Sequence, residues 1–261
     1  MEGPLWNRNF NPNAIRSYFI EPMVNFFTDT IPAANTYNAY HVLSIALREM
    51  SVLLFKPNPK HTAIVITDPQ NDFLSPGGRG YHLTKNNVEK NHTIQNLELL
   101  MNTALNKGYQ LFISPHYLYP HDCGWQFTGN EQNMLLGLGV YQKENSYTPP
   151  SVGADFVPSF KPYILDRRTI VSTPHKVASP QTNDLVYQLR QHRKEKTIIA
   201  GVLSNICVES HMRHLIENGF ETAVVYDATA TISERDFQAA FTNYKAFASV
   251  TWTTLEAISH L

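Results

Sequence analysis

The sequence predicts a single α/β domain built on a parallel sheet, and three observations carry that reading. From Thr62 onward, short apolar and β-branched runs alternate with stretches of helical period. Those runs have no polar alternation, as expected of strands covered on both faces, the arrangement of parallel sheets. Polar residues able to do chemistry fall just beyond three of the runs or in adjoining loops, at the strand ends where such sheets bind ligands. The 261 residues suffice for one such domain with elaborations, and its core needs no disulfide.

Taken in order, Met1–Lys60 stands apart as an N-terminal arm. Asn, Pro and aromatics dominate it early, an apolar run occupies Tyr40–Phe55, and Pro57-Asn58-Pro59 closes it. It is expected to pack on the domain or on a second subunit. The domain proper spans residues 61–261. Thr62–Thr67 reads as the first strand and ends at Asp68-Pro69, before a polar, Gly-rich loop through Gly80. Leu97, Met101, Ala104 and Leu105 share a helix face, with Gly108 as the stop signal. A second strand is predicted at Gln110–Ile113. The aromatic, Pro- and Gly-rich segment Ser114–Lys161 interrupts the alternation as an insertion over a site. Strands follow at Thr169–Ser172, Thr197–Val202, Thr222–Tyr226 and Ser249–Thr251. Helices are predicted around Leu185–Leu189, from Val208 to Ile216, near Phe237–Phe247, and at the C-terminus, where Thr253 and Glu256 form a capping box. The chain has no internal repeat.

Composition narrows the function classes. Lys and Arg number 21 against 22 Asp and Glu, so no basic surplus points to nucleic acid. No apolar run reaches the roughly 18 residues of a membrane span, and the N-terminus lacks the apolar region of a secretory signal. Two cysteines, Cys123 and Cys207, make no disulfide framework. A cytoplasmic protein acting on a small molecule is the expectation.

Three residues are candidates for chemistry. Cys207 lies where a strand turns into an amphipathic helix, a position that favours thiolate and offers N–H groups to an oxyanion; a buried structural thiol is the alternative. Asp68 could serve as a base or form an Asx turn before Pro69. Lys176 could hold two neighbouring anions or sit in solvent.

The segments Ile64–Phe73 and Ala200–Glu209 together resemble the isochorismatase-like cysteine hydrolases, whose members include nicotinamidases and N-carbamoylsarcosine, ureidoacrylate and biuret amidohydrolases. Asp227-Ala228-Thr229 matches as well, and the resemblance runs from Thr62 to about Thr254. It implies a Rossmann-like fold with a six-stranded parallel sheet and helices on both faces. It further implies a catalytic triad of Asp68, Lys176 and Cys207, an oxyanion hole from the backbone N–H groups of Ile206 and Cys207, and a cis peptide at Val202-Leu203. An intact Cys207 favours C–N hydrolysis through a thioester-type intermediate. The alternatives are vinyl-ether hydrolysis of the isochorismatase kind or a non-catalytic binding role. The family often assembles, so a homo-oligomer is expected.

Two departures accompany the resemblance. Relatives carry the lysine directly after the strand, where this chain has Thr173-Pro174, so Lys176 requires a locally shortened loop. The Asp-x-His metal pair of nicotinamidases is replaced by Ser114-Pro115-His116. No cofactor is therefore expected, although His116, His121, Asp122 and Cys123 are zinc-capable residues in one loop. Phe73, His116, Tyr117, Trp125 and His175 are the expected walls of a substrate pocket. His211, four residues after Cys207, could share its helix face.

Overall fold

The computed structural model of the chain describes residues 55–261; apart from residues 55–60, the expected arm lies outside the described residues. Six parallel strands form one sheet in the order β3-β2-β1-β4-β5-β6. They are β1 (Thr62–Thr67), β2 (Gln110–Ser114), β3 (Ile170–Val171), β4 (Lys196–Val202), β5 (Glu221–Ala230) and β6 (Val250–Trp252). The α-helices longer than one turn are α1 (Tyr81–Lys90), α2 (Thr93–Asn106), α3 (Asn130–Leu138), α4 (Leu185–Gln191), α5 (Glu209–Glu217), α6 (Glu234–Phe247) and α7 (Thr254–His260). Among the described residues no helix is long and apolar enough to cross a membrane.

All six residues of β1 are buried, as its unbroken apolar text requires of a central strand. On one face Ala63 and Val65 pack with Leu185 and Leu189 of α4, Met212 and Leu215 of α5, and Ala240 and Tyr244 of α6. Ile64 and Ile66 point the other way, to the side where α2 buries Leu97, Leu100, Met101 and Ala104. Burying a large aliphatic side chain contributes roughly 1.5–3 kcal/mol, so this double cover is what holds the strand order.

The chain direction of crossover reverses between β1 and β4, and the crevice outside that switch point is where open α/β sheets bind ligands. Asp68 follows β1 and Cys207 follows β4, one on each lip. Close approach of these strands depends on Gly201. Its φ of +124° is a left-handed value, and an added Cβ would lie 2.1 Å from the Thr67 carbonyl oxygen. The register between β4 and β5 also shifts between Ile199 and Gly201, which carries β5 on to Ala230, four residues past its predicted end at Tyr226.

Two helices, α1 and α3, were not foreseen; neither shows a clean apolar stripe. The final helix has the predicted capping box, with Thr253 accepting from the Glu256 N–H and Glu256 accepting from the Thr253 N–H at 2.7 Å. Asp227, the acid of the third family-like segment, accepts from the N–H and hydroxyl of Thr254 at 2.7 Å, so it anchors α7 to the sheet. Replacing Gly201 with Ala forces both the overlap and the unfavourable φ, and should lower stability by about 3 kcal/mol. Urea denaturation reads this as a lower midpoint; an unchanged midpoint would contradict the packing account.

Candidate active site

Asp68 ends β1 with φ of 49°, a left-handed conformation that Asp enters more readily than most residues. Its N–H donates to the Ser114 carbonyl at 3.0 Å, and its own carbonyl accepts from Gln70 at 2.7 Å. This turn points the carboxylate into the interior, where it is fully buried. Beyond the ends of β2 and β3 the backbones stay paired, with a bridge between His116 and His175 and a bond from the His175 N–H to the Pro115 carbonyl at 3.0 Å. The pairing brings the two imidazoles to 4.5 Å between centroids.

His175 Nε2 lies 2.8 Å from Asp68 Oδ1, with both side chains at 0% exposure. The other nitrogen, Nδ1, donates to the Val177 carbonyl at 3.0 Å. A carbonyl only accepts, so the hydrogen on Nδ1 is fixed and Nε2 is the atom turned to Asp68. Cys207 enters from a single π-helical turn, Ser204–Val208, that precedes α5. Its sulfur, an oxygen of Asp68 and one nitrogen each of His116 and His175 all lie within 4.8 Å of one another. Oδ2 of Asp68 and both ring nitrogens of His116 have no hydrogen-bond partner among the described residues.

Burial pushes the Cys207 thiol well above its ordinary range, and the negative charges of Asp68 and Glu131 push the same way. The expected lowering by Lys176 is absent because Lys176 does not pair with Asp68. Its amine instead meets Asp122 Oδ2 at 2.5 Å and the Tyr117 carbonyl at 3.0 Å, above the Tyr119 ring. The reason is local: His175 is turned inward by its bridge to His116, and the next side chain of an extended segment faces the opposite way.

Other expected site residues also take different places. Ile206 donates its N–H to the Leu203 carbonyl at 3.1 Å, so in this turn it is engaged rather than open to an oxyanion. The Val202-Leu203 peptide, by contrast, is cis as expected. Phe73 is fully buried against Tyr141, with ring centroids 5.5 Å apart, and packs over Gly80, where a Cβ would meet its ring. Tyr117 is nearly buried under the Lys143 amine, and Trp125 is half-buried at the end of a 3-10 turn. A cleft of about 540 Å³ opens in the insertion, lined by Tyr119, Cys123, Leu135, Val140 and Lys143 among others, and none of the four clustered residues lines it.

The zinc-capable loop does not assemble. Asp122 is taken by Lys176, His121 is 76% exposed, and Cys123 is exposed. Ser114 turns its hydroxyl to His211 Nε2 at 2.8 Å and accepts from Asn183 at 2.9 Å. His211 Nδ1 donates to the Cys207 carbonyl at 2.8 Å, so this histidine holds the turn and does not reach the sulfur.

Two residues in the site were not legible beforehand. Tyr141 stacks on His116 at 4.7 Å and 18°, held by its N–H on Asp72 Oδ2 at 2.5 Å. Glu131, on α3, has a buried and unpartnered Oε1; burial raises its carboxyl pKa and Asp68 adds to the rise, while His175 opposes it. Their positions come from the folded path of the insertion, which no periodicity announces.

An isochorismatase domain model matches residues 62–254. An uncharacterized isochorismatase family protein, YddQ of Bacillus subtilis (strain 168), is 25% identical over 65% of this chain and 78% of its own length. A cysteine hydrolase from Pseudomonas syringae pv. phaseolicola 1448A superposes with TM-score 0.62 at 20% identity, covering 79% of this chain and 94% of the other. An N-carbamoylsarcosine amidase from Thermoplasma acidophilum gives TM-score 0.56 at 16% identity over 74% and 96%. These two similarities are of fold.

The buried histidines set an acid limit on stability. Burial, with His175 adding, lowers His211 from 6.5 to about 3, and burial also lowers His116. Between 6.5 and 3 the unfolded chain binds protons that the folded chain refuses, so stability falls as pH drops through that window. One such ring contributes a slope of up to about 1.4 kcal/mol per pH unit. Urea midpoints measured from pH 7 to pH 4 should fall, and less steeply in His211→Gln; equal slopes would contradict the assignment.

Proposed function

This chain belongs to the isochorismatase family, and from that premise we propose that it is a cysteine-dependent hydrolase cleaving the C–N bond of a small amide, ureido or carbamoyl compound. The observation that carries the reading is the gathering of sulfur, carboxylate and imidazole within 4.8 Å at fully or almost fully buried positions. The names of the Pseudomonas cysteine hydrolase and the Thermoplasma amidase, similar in fold, favour the same chemistry.

In this reading Asp68 is the base. Its Oδ2 has no partner among the described residues, while Oδ1 is held by His175. A thiol raised by burial does not ionise in the resting protein, so its proton leaves as attack begins, to Oδ2. The sulfur bonds to the substrate carbonyl carbon and the electron pair moves to oxygen. As the C–N bond breaks, the leaving nitrogen takes the proton back from Asp68. Water, deprotonated by the same carboxylate, then attacks the thioester and releases the acid and the thiol.

His175 takes the place beside Asp68 that the resemblance assigned to lysine: its contact with Oδ1 orients the carboxylate. Lys176 is a positioning residue that ties Asp122 and the Tyr117 carbonyl of the insertion to the loop carrying His175.

Release of ammonia or amine from a panel of small amides, ureas and carbamoyl compounds tests the reading. Cys207→Ala should abolish release, and His175→Gln should lower kcat/KM by about 100-fold or more. Lys176→Met should lower it by less than about 10-fold, because its ion pair is displaced from the reacting atoms. A larger loss for Lys176→Met than for His175→Gln would return the triad to lysine, and hydrolysis surviving in Cys207→Ala would overturn the thiol mechanism.

A further inference from the structure

Hydrolysis as described leaves His116 without a role. This residue is fully buried, and neither ring nitrogen has a hydrogen-bond partner among the described residues. Buried polar atoms in native proteins are nearly always paired, and leaving two unpaired on one ring is unfavourable. The ring is nonetheless held firmly. Gln70 accepts from the His116 N–H and donates to its carbonyl, both at 2.8 Å, and the Tyr141 ring covers one face. Oδ2 of Asp68 is likewise unpartnered.

We infer that Asp68, His116, His175 and Cys207 form a binding site for a thiophilic divalent cation of the zinc class, and that the bound cation switches hydrolysis off by taking the sulfur. The first half stands on geometry alone; the second rests on the thiol reading above.

Four donors of three kinds, two imidazole nitrogens, a sulfur and a carboxylate oxygen, lie within 4.8 Å of one another. Zinc takes such a set as a tetrahedron with bonds of about 2.0–2.3 Å, and small side-chain shifts close the spread to that size. Imidazole and thiolate together select zinc-like ions over magnesium or calcium. Charge balance also fits burial. A thiolate and a carboxylate among the four ligands would together cancel the charge of the dication. His175 already has the outer contact such ligands use, its Nδ1–H on the Val177 carbonyl at 3.0 Å. This set differs from the Asp-x-His pair described for nicotinamidases, whose Asp position is Ser114, committed to His211 and Asn183.

The full chain, reduced and stripped with chelator, is titrated with Co(II) and then with Zn(II). The expected result is one ion per chain and a tetrahedral Co(II) spectrum with a thiolate-to-metal charge-transfer band, accompanied by release of the thiol proton. Zinc should erase the spectrum. Cys207→Ser should lose the charge-transfer band, and His116→Ala should bind at least about 10-fold more weakly while circular dichroism shows it folded. An octahedral spectrum without charge transfer, or wild-type affinity in His116→Ala, overturns the site. Hydrolysis inhibited by zinc and restored by chelator supports the switch, and hydrolysis unaffected by a bound ion overturns it. A cobalt signature in a protein that hydrolyses no amide upholds the site while the hydrolytic reading falls.

Discussion

The carboxyl edge of the sheet depends on one buried contact, Asp68 Oδ1 against His175 Nε2 at 2.8 Å. Neither group could be buried alone in its charged form without a large desolvation penalty, and removing one partner of such a pair typically costs about 3–5 kcal/mol. The contact also reaches across β2, tying the end of β1 to the loop after β3, a strand that contributes only two paired residues. The loop path and the placing of the carboxylate are therefore set together. The sulfur after β4 meets a carboxylate whose direction is fixed and whose second oxygen stays open.

The neighbours divide the remaining work. His175 turns inward and Lys176 turns to the insertion, so two adjacent residues serve the cluster and its cover separately. The insertion is fastened a second time by the motif after β1. Gln70 bonds to both His116 and the Ala154 carbonyl, and the buried Asp72 accepts from the Arg79 and Tyr141 N–H groups. Residues that look chemical in the sequence thus act as staples, and they hold the Tyr141 ring stacked on His116.

Much of this was legible in the sequence. The apolar text of Thr62–Thr67 and Thr197–Val202 identified the central strands because double cover removes polar alternation, and Asp68 and Cys207 followed from strand ends. Which of His175 and Lys176 contacts Asp68 was not legible. It depends on which side of an irregular segment faces inward, and a backbone bridge between His116 and His175 decides that. Glu131 and Tyr141 were missed for a related reason: α3 and the turn at Tyr141 lie in an insertion tied down by side-chain bonds to Gln70, Asn71 and Asp72, and local period carries no trace of such bonds. That Ile206 spends its N–H on the Leu203 carbonyl is likewise a detail of how the turn is wound, which local sequence does not carry.

The central claim is that Asp68 and His175 act on Cys207 as one unit. A double-variant cycle tests it directly, comparing kcat/KM for Asp68→Asn, His175→Gln and the two combined on one amide that the wild type hydrolyses. If the pair is a unit, the combined variant loses scarcely more than the more damaging single change. Losses that multiply would show two independent contributions and contradict the account.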